Sequence, residues 1–589
     1  MLEFNATPEQ QAIIDADLKS IAVVACPGSG KTATAVRRVA EVRRRLEGTR
    51  SHVALLSYSN IAVDTFRDEY RMLRGRDGSS DRVVIQTVDS FITTFVLRPH
   101  GSRVMRCDRT PFLVLGGEHF LSNYRFGTDN KNQISLEDLS LSRQGGKTVF
   151  FRRHRGGGAS QLDDAHVELA RKSLVKLAKV GGYTYAAGRA WALRLLQNEP
   201  RLTAALARRF PQILVDEAQD IGSFEGEILD LLSAAGSTIS LVGDFHQSIY
   251  GFNFASGEYL REFSKRADVL SLPLTQNRRS VPSIVSVANA LAGTVSQPFR
   301  STVSRPFGAH YWRYDGEQLP QMMSAWSTAL GASGYGLDEA AVLCRGAALL
   351  AKLASESGDM GKSAVKHFAA AALEREQGAD IFEVMEHCAK GVLSVVRGLP
   401  SSFIEDLKGS RGDEQSVKMR RLVWRLIRTP TAGIPLATLA AKSAWLPALK
   451  KNLNDWLCAV EAQTSYAREP TWDARVKSTA LPDTGPLLAV DFGQNSWSGM
   501  RCGTVHSAKG EGIPAVLYLT TKKDLDAMVA GTKDEEGRIG FVAVTRARDL
   551  LVVGIPKNTA PAVISALVSH GFADWNPGTG SSSVSVPTA

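Results

Sequence analysis

The densest chemistry in this sequence lies in eight residues, Ala25-Cys26-Pro27-Gly28-Ser29-Gly30-Lys31-Thr32. They follow an apolar run, Ser20 to Ala25, and open a stretch of helical spacing, Thr34 to Val42. A glycine-rich turn between strand and helix aims successive backbone N–H groups at a phosphate, and the glycines allow close approach. In that setting Lys31 reaches the β- and γ-oxygens of a nucleotide, and the Thr32 hydroxyl binds Mg²⁺. The complementary half is Ile213-Leu214-Val215-Asp216-Glu217. Its apolar strand carries Asp216 to the C-terminal end, where open α/β sheets bind ligands. Asp216 suits the Mg²⁺. Glu217 suits the water attacking a γ-phosphorus, as its proton acceptor or its orienting group.

Both halves need a parallel sheet beneath them. Runs rich in Val, Ile and Leu at 20–25, 53–57, 83–86, 212–216 and 239–243, bounded by turn residues, read as its buried strands. Runs at 341–344, 515–519 and 550–553 read as a second parallel sheet assembled from distant sequence. The expected division is a first sheet domain (1–100 and 206–270) holding an insertion (101–205), and a second sheet domain (271–351 and 491–570) holding a helical insertion (352–490). The first insertion reads as a loop-rich basic piece, including Arg152 to Arg155, followed by helix. The small, polar stretch 571–589 reads as disordered.

Length and composition agree with this plan. A chain of 589 residues exceeds what one hydrophobic core serves, and 44% hydrophobic with 22% charged residues is ordinary for a folded protein. A net charge of +10 and a pI near 9.2 fit a polyanionic partner without identifying one. Six cysteines are scattered with neither zinc-site nor disulfide-scaffold spacing, which suggests a reducing compartment. The start, MLEFNATPEQQ, lacks a basic segment followed by an apolar core, and no apolar run approaches the ~20 residues of a membrane span. A cytoplasmic location away from membranes is expected.

The run Gly243-Asp244-Phe245-His246-Gln247-Ser248-Ile249-Tyr250-Gly251-Phe252 is more specific than a general phosphate site. It resembles the third motif of superfamily 1 helicases of the UvrD/Rep/PcrA type. The rest of that series follows in order. Residues 4–13 resemble the glutamine motif; Ser57 to Asn60 and Thr87 to Phe91 resemble the single-strand contact motifs. Leu274 to Ser280, Gly503 to Gly510 and Phe541 to Ala547 resemble the fourth, fifth and sixth motifs. The resemblance implies an α/β fold of two RecA-like P-loop parallel-sheet domains, each with a mostly helical insertion.

It also implies roles. ATP and Mg²⁺ would be bound by the phosphate loop, with Gln10 at the adenine edge and Gln247 sensing the γ-phosphate. Arg279 and Arg546 would be arginine fingers from the second domain. Tyr58, Thr87, Tyr250, Phe252 and His506 would meet single-stranded DNA; Tyr250 and Phe252 would do so by stacking, although aromatics at such spacing serve equally as core. The Arg152 to Arg155 run would track phosphates or stand as a solvated loop. The implied activity is an ATP-dependent translocase or helicase on single strands and single–double-strand junctions, of 3′-to-5′ polarity. Repair, replication restart and anti-phage defence are its expected settings, with a nuclease or repair protein as a possible partner. The alternative is an ATP-dependent switch that serves a partner nuclease without unwinding; retention of Lys31, Asp216, Glu217, Gln247, Arg279 and Arg546 favours the enzyme.

Four positions depart from the family pattern. Arg278 stands where a tyrosine usually stacks on adenine, and a guanidinium can stack through its planar face. Asn253-Phe254-Ala255 replaces Arg-Gly-Ala, Phe252 stands where some relatives have Trp, and Lys509-Gly510-Glu511-Gly512 replaces Lys-Gly-Leu-Glu. The last resembles compact relatives found beside nuclease genes in anti-phage systems such as Gabija.

Overall fold

Short runs of β-branched and leucine residues, apolar on both faces, are stable only where helices cover both sides of a sheet. Such runs build two six-stranded sheets in the computed structural model, every pairing within them parallel. The structure describes residues 5–74, 82–114, 119–128, 133–154, 158–249, 251, 257–301, 303–316, 318–346, 349, 364–377, 381–400, 402–408, 414–478, 481, 485–487 and 500–575.

The first sheet runs in the order Leu270–Leu274, Ile21–Ala25, Thr238–Gly243, Gln212–Val215, Val53–Ser57, Val83–Thr87. One face packs against the helices Pro8–Asp15, Lys31–Arg45 and Asn60–Arg74 through Ile13, Val36, Val39 and Phe66. The other face shares a core with the first insertion, where Leu56, Ile213 and Leu241 join one cluster with Leu174, Leu193 and Leu196. The strand Leu270–Leu274 pairs in register with all five residues of Ile21–Ala25. The expected boundary after residue 270 is therefore corrected: the first sheet continues to Leu274. Pro273 and polar Ser271 masked that strand, and an edge position tolerates both.

The first insertion holds the helices Asp164–Lys179, Tyr185–Asn198 and Pro200–Arg209. It also contains a three-stranded antiparallel sheet, Leu139–Gln144, Lys147–Arg153 and Ala159–Gln161. Arg152 and Arg153 thus belong to a strand rather than to a basic loop, and the Arg153 guanidinium donates to the Glu137 carbonyl. Arg155 lies outside the described residues.

The second sheet runs Arg501–Thr504, Ala340–Cys344, Ile513–Leu519, Ala547–Pro556, Gly308–Tyr314, Ala573–Asp574. Its last strand falls inside the stretch read as a disordered tail, a further correction. Ala573 pairs with His310, the Trp575 backbone N–H donates to the Tyr311 carbonyl (2.8 Å), and the indole meets the His310 ring edge-on at 4.9 Å. Residues 576–589 lie outside the described residues. Trp575→Ala is expected to lower the stability of this sheet by about 2 kcal/mol, since the indole is only part-buried. Denaturant unfolding against the parent chain measures it. The helices of 364–463 pack among themselves around Phe368, Val392, Val423, Trp445 and Leu453, a core of their own.

Candidate active site: a cleft between the two parallel sheets

The phosphate loop joins the end of Ile21–Ala25 to the helix Lys31–Arg45. Gly28 (φ 69°) and Gly30 (φ 80°) lie in the left-handed region, which a side chain rarely occupies. Space is equally restrictive: a Cβ on Gly28 would lie 2.5 Å from Cβ of Arg279, and one on Gly30 would lie 2.8 Å from Nε2 of Gln10. Gly28→Ala is therefore expected to strain the loop and hold the second domain away from it. Turnover should fall about 100-fold, the order reached when a reacting group is misplaced by an ångström. Steady-state ATPase assays measure that loss.

Asp216 and Glu217 stand at the C-terminal end of Gln212–Val215, on the edge that carries the loop. Asp216 is 2% exposed, and its Oδ1 is buried without a hydrogen-bond partner. Burial, with the Glu217 charge beside it, pushes its carboxyl up to about 7. An orphaned carboxylate oxygen on a cavity wall shared with Thr32 suits a divalent cation. Glu217 has a left-handed backbone (φ 53°), a conformation that costs a non-glycine residue on the order of 1 kcal/mol. Burial pushes its pKa up, but the charges of Lys31 and Lys509 outweigh burial and hold it below the usual carboxylate range.

A chain of polar contacts leads away from Glu217. Gln219, fully buried, donates to the Glu217 carboxylate, and its Oε1 accepts from the Asp244 N–H (3.0 Å). Asp244 accepts from Gln247 Nε2 (2.8 Å), and Gln247 Oε1 accepts from Arg546 Nη2 (3.2 Å). The strand end that carries Glu217 is thereby connected to an arginine of the second sheet domain.

Three cations of the second sheet domain face the loop. Arg546 is fully buried and also donates to the Val542 and Glu511 carbonyls (3.0 and 3.2 Å). Burial, with the Arg279 charge next in importance, pushes its guanidinium down to about 9. Arg279 donates to the Thr545 and Gly510 carbonyls (3.2 and 2.9 Å). Ser280 Oγ bonds the Ala547 carbonyl at 2.6 Å, so the two arginines are held in one rigid unit. Lys509 pairs with Asp220, whose carboxyl burial pushes up to about 6 against that pull. Together the walls enclose about 600 Å³, lined by Gly28 to Thr32, Asp216, Glu217, Gln247, Arg279, Lys509 and Arg546 among others.

Sequence reasoning assigned no role to Gln219 or Lys509. Both stand inside recognised runs, Gln219 two residues after Glu217 and Lys509 three after His506, and that proximity was the available signal. Other expected positions fall differently. Ala25 ends the strand, and the Cys26 N–H donates to the Leu274 carbonyl (2.8 Å), so Ala25, Cys26 and Pro27 anchor the loop while the cavity wall begins at Gly28. Gln10 is 1% exposed, with its carboxamide bonded to Thr7 and to Ser29. Arg278 lies over the Phe299 ring, Cζ 4.3 Å from its centroid. His506 Nε2 is 3.1 Å from the Ile249 carbonyl and so tethers the two domains at the cavity wall. Thr87 caps the helix Val88–Ile92 by accepting from the Ser90 N–H (3.1 Å). Tyr58 lines the cavity with its hydroxyl buried. Tyr250 and Phe252 lie outside the described residues.

A strand–loop–helix phosphate site, an acidic pair at the neighbouring strand end and two arginines from a second parallel sheet define a P-loop protein of two RecA-like domains. Comparison with known proteins shows which family the chain is similar to. A profile of the UvrD/REP helicase N-terminal domain matches residues 6–152 and 189–268. The chain is 22% identical over 318 residues to the ATP-dependent DNA helicase Rep of Escherichia coli, which covers 51% of this chain and 45% of that protein. It is 37% identical over 101 residues to DNA helicase II of Escherichia coli (17% of this chain, 14% of that protein). It is 33% identical over 123 residues to an ATP-dependent helicase/nuclease subunit of Carboxydothermus hydrogenoformans (21% of this chain, 10% of that protein). With the fold and the cleft, these matches make the chain similar to superfamily 1 helicases of the UvrD/Rep/PcrA type, chiefly over the first sheet domain. The matched stretches span less than half of each of these relatives.

Proposed function

We propose that the protein is a DNA-stimulated ATPase that moves 3′-to-5′ along single-stranded DNA and opens duplex at single–double-strand junctions. The observation that carries this is one cavity lined at once by Lys31, Asp216 and Glu217 from the first sheet domain and by Arg279 and Arg546 from the second. Lys31 and the loop N–H groups would hold the β- and γ-phosphates, and Glu217 would take the proton of the attacking water. Thr32 and Asp216 would hold Mg²⁺, which neutralises charge on the phosphate oxygens. Arg279 and Arg546 would face the γ-phosphate, and Gln247 would link it to the Asp244 strand end. Lys31 of the first domain faces Arg279 and Arg546 of the second across the cleft, so a triphosphate between them would draw the domains together and its hydrolysis would let them part.

The domain division (first sheet domain, second sheet domain and the two insertions) follows the same reading, with the boundary and tail corrections above. Tyr58, Thr87, His506, Tyr250 and Phe252 remain the proposed DNA-facing set. In that set His506 and Thr87 act through the loops they hold. The short match to the helicase/nuclease protein of Carboxydothermus hydrogenoformans supports a nuclease as partner. Among the described residues no helix is long and apolar enough to cross a membrane. The test is ATP turnover with and without single-stranded DNA, followed by strand displacement from 3′-tailed and 5′-tailed duplexes. Turnover indifferent to DNA would sink the motor reading, and displacement from the 5′ tail alone would reverse the polarity.

A further inference from the structure

Behind the phosphate loop the residue expected to read adenine has its acceptor oxygen already engaged. Hydrogen-bonded recognition of adenine by a glutamine uses a donor and an acceptor together, one on N7 and one on the amino group. Gln10 Oε1 already accepts from the Thr7 N–H (3.0 Å) and from Arg278 Nη1 (3.4 Å). Those two bonds fill its two lone pairs. Its Nε2 donates to the Ser29 carbonyl (3.1 Å) and packs where a side chain on Gly30 would stand. Gln10 is thus a clip between the helix Pro8–Asp15 and the phosphate loop.

Beside the phosphate loop the fold instead sets a platform. The Arg278 backbone N–H donates to the Gly28 carbonyl (2.9 Å), which fixes the residue beside the loop. Its guanidinium lies over Phe299, a ring 55% exposed, with Cζ 4.3 Å from the centroid and Nη1 on the Asn5 carbonyl (3.0 Å). A planar cation held against a ring stacks on any base, because every base has a π-face, and stacking reads none of the base edges.

We propose that the cleft is indifferent to the base: it hydrolyses GTP, CTP and UTP alongside ATP, with Arg278 and Phe299 as stacking platform. This rests on the reading of the cleft as a triphosphatase. The experiment is kcat/KM of the full chain for the four ribonucleoside triphosphates, with Mg²⁺ and single-stranded DNA present. The four values are expected within about tenfold of one another, whereas a site built to hydrogen-bond one base rejects its analogues by roughly 10⁴-fold. Gln10→Ala is expected to lower all four by one common factor. Phe299→Ala is expected to raise KM for all four by about tenfold with kcat held. Hydrolysis of ATP alone, or a loss confined to ATP in Gln10→Ala, overturns this proposal and leaves the triphosphatase reading standing. Hydrolysis of none of the four overturns both.

Discussion

Arg279→Ala is expected to slow DNA-stimulated turnover of ATP by roughly 10³- to 10⁵-fold, the range over which arginine fingers act on a transferring phosphoryl group. That loss corresponds to about 4–7 kcal/mol of transition-state stabilisation. The magnitude follows from where the guanidinium sits. It lines the cavity facing Gly28 to Lys31, is held by the Thr545 and Gly510 carbonyls, and lies close enough to Arg546 to depress that residue's pKa. A carbonyl dipole orients a cation without neutralising it, so the full charge remains for the phosphate. Arg279 is the better probe of the two arginines, because Arg546 is fully buried and bonded to Val542, Glu511 and Gln247. Its removal would mix catalysis with stability. Single-turnover hydrolysis of prebound ATP separates the effects: Arg279→Ala should slow the chemical step, with nucleotide affinity changed far less. Equal losses in affinity and in the chemical step would mean that the residue binds the ground state rather than the transition state.

Glu217→Gln is expected to lower kcat by about 10²- to 10⁴-fold, the usual contribution of a positioned proton acceptor. The substitution keeps the shape of the side chain and an oxygen to accept from Gln219, so the link through Asp244 to Gln247 and Arg546 should persist. What it removes is the negative charge that Lys31 and Lys509 hold ionised against burial. ATP should still bind, and the enzyme should accumulate with ATP bound and the cleft closed. Fluorescent-nucleotide binding and stopped-flow hydrolysis check the two halves of that statement. Turnover that survived the substitution would remove Glu217 from the mechanism.

The two predictions share a physical basis. Arg546 and Arg279 approach each other inside a buried cavity, and Lys31 and Lys509 face the same space. Against them stand Asp216, Glu217 and Asp220, of which burial pushes Asp216 and Asp220 toward the protonated form. Buried like charges on opposing domains make the cleft an electrostatic trap for a polyanion.

The phosphate loop, the acidic pair and the two arginines were legible in the sequence because their chemistry depends on local order. Lys31 follows a strand and opens a helix, Asp216 ends an apolar strand, and each arginine sits in a run with its own signature. The two parallel sheets were legible for the same reason, since strands covered on both faces must be continuously apolar. Strands at the margins escaped. Leu270–Leu274 carries Ser271 and Pro273, Gly308–Tyr314 mixes His310 and Arg313 with aromatics, and Ala573–Asp574 is two residues long. Their pairing is decided by neighbours hundreds of residues away in sequence, as with Ile21–Ala25 beside Leu270–Leu274. Tertiary structure alone decided what side chains do once packed. The Gln10 amide is engaged by a helix cap and by the Ser29 carbonyl, and His506 Nε2 faces the Ile249 carbonyl. Hydrogen-bonding capacity is a property of the residue, whereas the partner that fills it is set by what the fold brings within about 3 Å. The phosphate loop side of the cleft was therefore determined by the sequence, and the mutual contacts of Arg278, Phe299 and Gln10 beside that loop by the packing.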